Sequence, residues 1–218
     1  MKNKLKEKWI DAFSSKEFRI KFIIYVIILI ISLNILVRFL NYNENRVGIN
    51  FPDPLLALFS PDDVTWLTFG VIYLSLIGII IYLFNNPKIF LIAILAYTIM
   101  ILLRMTAMWL LPLEPPVKMI PLVDPVVEFF GKGGVLKKDL FFSGHTSTLT
   151  LFTLLVVNKK LKYIFAALTI IVGLCVLIQH VHYSIDVFAA PFFAYFSYWV
   201  SRRFNSPKNT SDLESFRQ

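Results

Sequence analysis

The sequence predicts an all-α fold, a polytopic membrane protein built as a bundle of six transmembrane helices. Apolar residues make up 57% of the 218, aromatic residues 16% and charged residues only 17%, an oilier balance than a soluble domain of this size carries. Six apolar stretches stand between short polar breaks, and at roughly 1.5 Å per helical residue each approaches the ~30 Å of a hydrocarbon core. The residues behind the net charge of +8 gather in the tails and short connections, which is the pattern of membrane orientation. No nucleic-acid partner is expected. The single cysteine, Cys175, lies inside an apolar stretch, so an intrachain disulfide has no second thiol and packing is its expected role.

Residues 1–21 are polar and basic, with Trp9, Ile10 and Phe13 among lysines. An amphipathic segment on the membrane surface and a solvated basic tail fit that composition equally well. Phe22 to Val37 is an apolar run followed by Arg38 and Phe39, with no small-residue cleavage site, so it reads as a first span reaching about Leu40 and not as a signal peptide. Asn41 to Asp63 is a loop whose Phe-Pro-Asp-Pro-Leu run cannot lie in a helix interior. Val64 to Phe84 is the second span, and the turn at Asn85-Asn86-Pro87-Lys88 leads to the third, Ile89 to Leu111, which carries Arg104 and is closed by Pro112. Residues 113–138 form the longest connection, with prolines at 115, 116, 121 and 125 and a Gly131-Lys132-Gly133-Gly134 patch; a loop of this length in a bundle is usually functional. The fourth span, Leu140 to Val157, holds Thr146, Thr150 and Thr153 at helical spacing, a polar stripe expected to face other helices. Leu161 to Gln179 and Ser184 to Trp199 are the fifth and sixth spans, and a disordered polar tail is expected from Ser201. The expected organisation is a basic cytoplasmic or interfacial segment at 1–21, a catalytic six-helix unit at 22–200 and a polar cytoplasmic tail at 201–218.

Six spans place both termini on one side. That side collects fifteen Lys and Arg, whereas the other holds five: Arg46, Lys118, Lys132, Lys137 and Lys138. The termini are therefore expected in the cytoplasm. With that topology His145 opens the fourth span, His182 and Asp186 open the sixth and Arg104 lies toward the end of the third, so all four reach the exoplasmic or periplasmic face.

Ionisable groups inside spans are costly and mark functional sites. His182 and Asp186 stand four apart, on one helical face within hydrogen-bond reach. A carboxylate on one ring nitrogen fixes the tautomer and leaves the other as a nucleophilic lone pair. His145 follows Ser143 and Gly144 at a helix start, where unpaired N–H groups and the helix dipole attract phosphate, and there it is placed to protonate a leaving alkoxide. The plainer use of these residues is a capping serine beside a space-filling histidine. Arg104 fits a phosphate clamp, aided by Lys137 or Lys138, or a snorkelling side chain. Zinc is the rival use of three histidines and an acid, but His180 and His182 point to different sides of a helix and no His-Glu-x-x-His pattern is present. No metal and no cofactor are expected.

Asp139 to Thr146, reading Asp-Leu-Phe-Phe-Ser-Gly-His-Thr, resembles a signature of the sphingomyelin synthase family, and His180 to Val187, reading His-Val-His-Tyr-Ser-Ile-Asp-Val, resembles its second signature. Arg104 to Pro112 is similar to an earlier motif of that family, and the Pro- and Asp-rich loop at 52–63 to its first; together they run from about residue 50 to 195. Compared with those synthases the chain is short, with no room for an added N-terminal protein-interaction domain. The resemblance implies six helices, a place in the wider type 2 phosphatidic acid phosphatase superfamily, and a triad of His145, His182 and Asp186. It implies that His182 attacks the phosphorus of a lipid head group, that Asp186 supports it, and that the alcohol leaves with a proton from His145. Arg104, Ser143, Gly144, Lys138, Asp139 and Tyr183 make up the expected phosphate- and substrate-binding set. The phosphatase branch usually has arginine where this chain has Val176, and proline where it has Phe142. Both differences point toward the synthase-like branch and away from phosphate monoesters.

The expected function is transfer of a phospho-alcohol head group, of the phosphocholine or phosphoethanolamine type, from a phospholipid donor to a lipid alcohol such as ceramide. A lipid phosphatase or phospholipase C-like hydrolase, with water as acceptor, is the alternative; a non-catalytic lipid-binding or transport protein is the third. Homo-oligomerisation is left open.

Overall fold

Three helices start by one device, a side-chain oxygen that accepts an N–H from the first turn. Ser15 accepts from Phe18, Ser143 from Thr146 and Asn158 from Leu161, each satisfying a donor the helix cannot. The structure is a computed structural model that describes residues 2–124 and 136–206; Pro125, the Gly131–Gly134 patch with Lys132, and the tail from 207 lie outside the described residues. Among the described residues there are seven α-helices and no named strand: α1 Lys2–Ser14, α2 Lys16–Glu44, α3 Thr65–Phe84, α4 Pro87–Leu110, α5 Gly144–Leu155, α6 Lys159–Ile178 and α7 Ser184–Asn205. A short 3₁₀ turn, Leu56–Leu58, lies between α2 and α3.

The all-helical expectation holds, and four helices, α2, α3, α4 and α6, are long and apolar enough to cross a membrane. The expected fourth span starts later and ends sooner than Leu140–Val157, because Ser143 caps it and Val156 turns extended. Its 12 residues rise only ~18 Å. Extended backbone at Val156 and Asn158 carries the chain on at roughly 3.3 Å per residue, and the N–H of Val157 donates to the Tyr82 hydroxyl at 3.0 Å. A backbone donor outside any helix thus finds a partner, as a low-dielectric surrounding demands. Two further boundaries differ from expectation. Helix α2 begins at Lys16 and runs on to Glu44, because Ser15 caps it and no breaker follows before Asn45. Helix α7 continues six residues past Trp199 to Asn205, with Ser201 buried and its hydroxyl donating to the Ile92 carbonyl at 2.7 Å.

Helix α7 lies between α4 and α5, α6 packs on α5 and α3, and α2 lies against α4. Small side chains allow the close approach: Ala96 on α4 and Ala190 and Ala194 on α7 are fully buried, in the manner of helix pairs in lipid. Around them pack Met100, Leu149, Leu151, Val172 and Val176. On α2, by contrast, Ile23, Ile27, Ile30 and Ile31 are each about half exposed, an apolar surface suited to lipid tails.

Two threonines of the α5 stripe turn to α6, with Thr146 buried beside Gly173. Thr153 meets Thr169 of α6 at 3.3 Å, while Thr150 donates to the Thr146 carbonyl and Thr146 to the Ser143 hydroxyl.

Helix α1 is seated on the turn between α3 and α4. The Trp9 indole donates to the Phe84 carbonyl at 2.8 Å and the Lys8 ammonium to the Asn85 carbonyl at 3.0 Å, so a cation meets the carbonyl end of α3 where the helix dipole favours it. Trp9 also packs against Phe13, Phe22, Phe84 and Phe90, with ring centroids 5.5–6.3 Å apart. Trp9→Ala is expected to remove about 2–3 kcal/mol of stability, read as a lower unfolding temperature in detergent, with the helical content of the folded state unchanged.

Candidate active site

The ends of α2, α4 and α6 and the starts of α3, α5 and α7 meet at one end of the bundle, and the motif residues are there. The short α6–α7 connection brings this about. His180 adopts a left-handed conformation with φ 54°, its N–H donates to the Leu177 carbonyl, and the Val181 N–H donates to Val176, both at 2.9 Å. This pair of bonds stops α6 with a residue that is usually glycine. The His180 ring is buried against Phe59, 5.0 Å between centroids, and does not join His182.

Two residues on, the His182 ring lies against Asp186, Nδ1 to Oδ2 at 3.2 Å. The same oxygen accepts the Tyr183 N–H at 3.2 Å, so Asp186 both caps α7 and holds the imidazole. Asp186 is fully buried and His182 is 2% exposed. With Nδ1 committed to the carboxylate, Nε2 is the nitrogen left to act.

Helix α5 brings His145 to this pair. The Ser143 N–H donates to the Asp186 carbonyl at 3.1 Å, fastening the start of α5 to the first turn of α7. The His145 and His182 rings then stand 6.5 Å apart between centroids, inclined by 64°, and Phe69 of α3 meets the His145 ring edge-on at 6.1 Å. Among the described residues no acceptor engages the N–H groups of Gly144 and His145. They are free donors at a helix start, suited to an anion.

Arg104 reaches the same helix start from α4. Its Nη2 pairs with Asp139 at 2.5 Å and its Nε donates to the Phe142 carbonyl at 3.2 Å. A Cβ on Gly144 would collide with this guanidinium, so glycine there lets the arginine lie against the helix end. Burial is the strongest single influence on the Asp139 pKa and works to raise it, but the Arg104 charge, the Arg104 hydrogen bond and the two nearby histidines together bring the carboxyl below its ordinary value. Phe142 is fully buried and stacks on Phe193, 4.2 Å between centroids. Val176 lies in the core.

A cavity of about 290 Å³ opens beside these groups, lined by Arg104, Asp139, Gly144 and His145 together with Ile72, Leu76, Tyr97 and Phe152. Of the expected site residues, His145, His182, Asp186, Arg104, Ser143, Gly144 and Asp139 come together. Lys138 and Tyr183 are engaged elsewhere. The Lys138 ammonium pairs with Glu114 and donates to the Arg46 carbonyl, at 2.8 and 2.7 Å, and the Tyr183 hydroxyl donates to the Glu114 carbonyl at 2.9 Å.

Residues 138–203 match the family model described as PAP2 superfamily C-terminal. The matched segment takes in α5, α6 and α7, and so both histidines and Asp186. It supports a place in the type 2 phosphatidic acid phosphatase superfamily and an enzyme of the lipid phosphatase or phosphotransferase type. It says nothing specific to the sphingomyelin synthase branch. No curated protein and no solved structure matches the chain.

Asp53, in the loop between α2 and α3, also serves this end of the bundle. Its Oδ2 accepts the Ser184 N–H at 2.6 Å, and its Oδ1 accepts from Leu55 and Leu56, so it caps α7 beside the Asp186 cap. The signal was the Pro-Asp-Pro run, but the partner is 131 residues away. Burial pushes the Asp53 pKa up while the Ser184, Leu55 and Leu56 bonds pull it down, and the net shift is downward. A depressed carboxyl stabilises the fold above its unfolded pKa near 4, and the contribution fades as pH falls through the folded value. Asp53→Ala is therefore expected to cost about 1 kcal/mol at neutral pH and to flatten the loss of stability below about pH 4, measured by thermal unfolding across pH 3–7. Gly144→Ala is expected to displace Arg104 and lower turnover, with the unfolding temperature nearly unchanged.

Proposed function

We propose that the chain is a six-span membrane phosphotransferase that moves a phospho-alcohol head group from a phospholipid to a lipid alcohol through a phosphohistidine. The observation that carries this reading is the pairing of two imidazoles, 6.5 Å between ring centroids, with a carboxylate on the inner one. In this scheme residues 22–200 are the catalytic unit, residues 1–21 and 201–218 are cytoplasmic, and the site faces the exoplasmic or periplasmic side.

The steps follow from the positions. His182 Nε2 attacks the phosphorus of the donor diester, and a P–N bond forms as the P–O bond to diacylglycerol breaks. The departing alkoxide takes a proton from His145. In the second step the acceptor hydroxyl gives its proton to His145 as its oxygen displaces His182 from phosphorus, which restores both rings. Asp186 holds the His182 tautomer and stabilises the positive ring. Arg104 and the N–H groups of Gly144 and His145 bind the phosphoryl oxygens as charge builds. The apolar part of the cavity suits an acyl chain. The Lys138 ammonium, already paired with Glu114, orders the loop that carries Asp139.

The resemblance of the two histidine stretches to the sphingomyelin synthase signatures favours phosphocholine or phosphoethanolamine as the group and ceramide as an acceptor. The superfamily match fits a hydrolase equally well, with water in place of the acceptor. Incubating the purified protein with labelled phosphatidylcholine or phosphatidylethanolamine, with and without ceramide, separates the two: labelled sphingolipid is expected, whereas head-group release indifferent to ceramide would identify the hydrolase. Release from neither donor would refute both. His182→Ala is expected to lower the rate on the order of 10³-fold or more; unchanged cellular function in that variant would mark a non-catalytic lipid-binding protein. Because His182 attacks neutral and His145 donates charged, the rate is expected to be bell-shaped in pH. A flat profile between about pH 5 and 9 would contradict the paired-histidine scheme.

A further inference from the structure

The polar lining of the cavity contains an acid. Among the described residues that line it, Arg104 and Asp139 are the charged pair, and they neutralise one another at 2.5 Å. Both face the cavity and both are largely shielded from solvent, with side chains 12% and 29% exposed. The adjacent Lys138, which as a second cation would change this balance, is turned away to Glu114 and the Arg46 carbonyl. The remaining attraction for an anion is the partial positive charge at the start of α5, worth about half an elementary charge, and a proton when His145 carries one.

Resting on the reading of this cavity as the phosphoryl-transfer site, we propose that Asp139 is a specificity-determining residue that admits the singly charged phosphodiester of a phospholipid and rejects the doubly charged phosphate monoester. A phosphodiester brings one negative charge, which the helix start and a protonated His145 match. A monoester near neutral pH brings a second charge with no described cation left to meet it. Any phosphate oxygen that shares the Arg104 guanidinium with Asp139 lies within roughly 5–6 Å of that carboxylate, close enough for like charges to repel strongly in a shielded site. The Arg104 partner at 2.5 Å favours the ionised Asp139, and with the nearby histidines it keeps the carboxyl below its ordinary value despite burial. Arg104 alone would favour the more highly charged anion; paired with Asp139 it does not.

The test compares kcat/KM for phosphatidylethanolamine, a diester, and phosphatidic acid, a monoester, in the purified full-length chain. Asp139→Asn keeps an oxygen for Arg104 but removes the charge, and it is expected to raise the monoester-to-diester ratio by about tenfold or more. Asp139→Glu is expected to keep the wild-type ratio. If Asp139 only positions Arg104, D139N lowers both rates alike and the ratio stays put, which would overturn the proposal. Should D139N be inactive, or the wild type turn over neither lipid, binding decides independently. Inorganic phosphate at pH 8, mostly a dianion, is expected to stabilise D139N against heat more than it does the wild type, with dimethyl phosphate shifting both equally. Equal shifts with inorganic phosphate would sink the assignment of Asp139. Wild-type inactivity on both lipids would instead sink the proposed function.

Discussion

One backbone hydrogen bond joins the two halves of the site, from the Ser143 N–H to the Asp186 carbonyl. Ser143 is the cap of α5 and Asp186 closes the cap of α7, so the bond sets two helix starts side by side. Each histidine is placed by its own cap, His145 two residues after Ser143 and His182 one residue before Tyr183. Neither ring could shift far without unpairing a buried donor, which costs ~1–3 kcal/mol. The geometry between the imidazoles is thus a property of main-chain bonds, and the side chains inherit it.

Around this centre the connections are held by polar side chains that bind main chain. Glu44 accepts the N–H groups of Lys137 and Lys138, Asn43 donates to the Lys138 carbonyl, and Glu114 takes the Gly48 N–H at 2.8 Å. Ile49 and Leu113 form an isolated parallel bridge, and the Gly48 backbone lies so close to Leu113 that a Cβ would clash. Gln179, fully buried, ties the start of α3 to Pro121 through Val64 and Thr65. The segment carrying Asp139 is therefore braced from α2, and the neutral pair it makes with Arg104 is part of a larger arrangement in which cations are matched by acids before any ligand arrives.

Much of this was legible in the sequence because it is local. The four-residue spacing of His182 and Asp186 predicts their contact, and Ser-Gly-His predicts a capped helix start. The apolar runs predict α3, α4 and α6 to within a few residues. What was hidden depends on distance along the chain. Nothing in residues 50–55 says that Asp53 will cap Ser184, and nothing near Lys138 says that Glu114 will claim its ammonium. The length of α5 was misread for a different reason. Hydropathy does not distinguish helix from extended chain, and Val156 and Val157, β-branched and followed by a capping Asn158, leave the helix early while remaining apolar.

The seat of α1 on the α3–α4 turn has a consequence for how the molecule is made. Residues 2–14 are made before the carbonyls that receive Trp9 and Lys8, which belong to Phe84 and Asn85. That segment waits, unattached, through the synthesis of α2 and α3 before its berth exists. Its aromatic rings, Trp9 above all, find Phe84 and Phe90 only when the hairpin turn is in place.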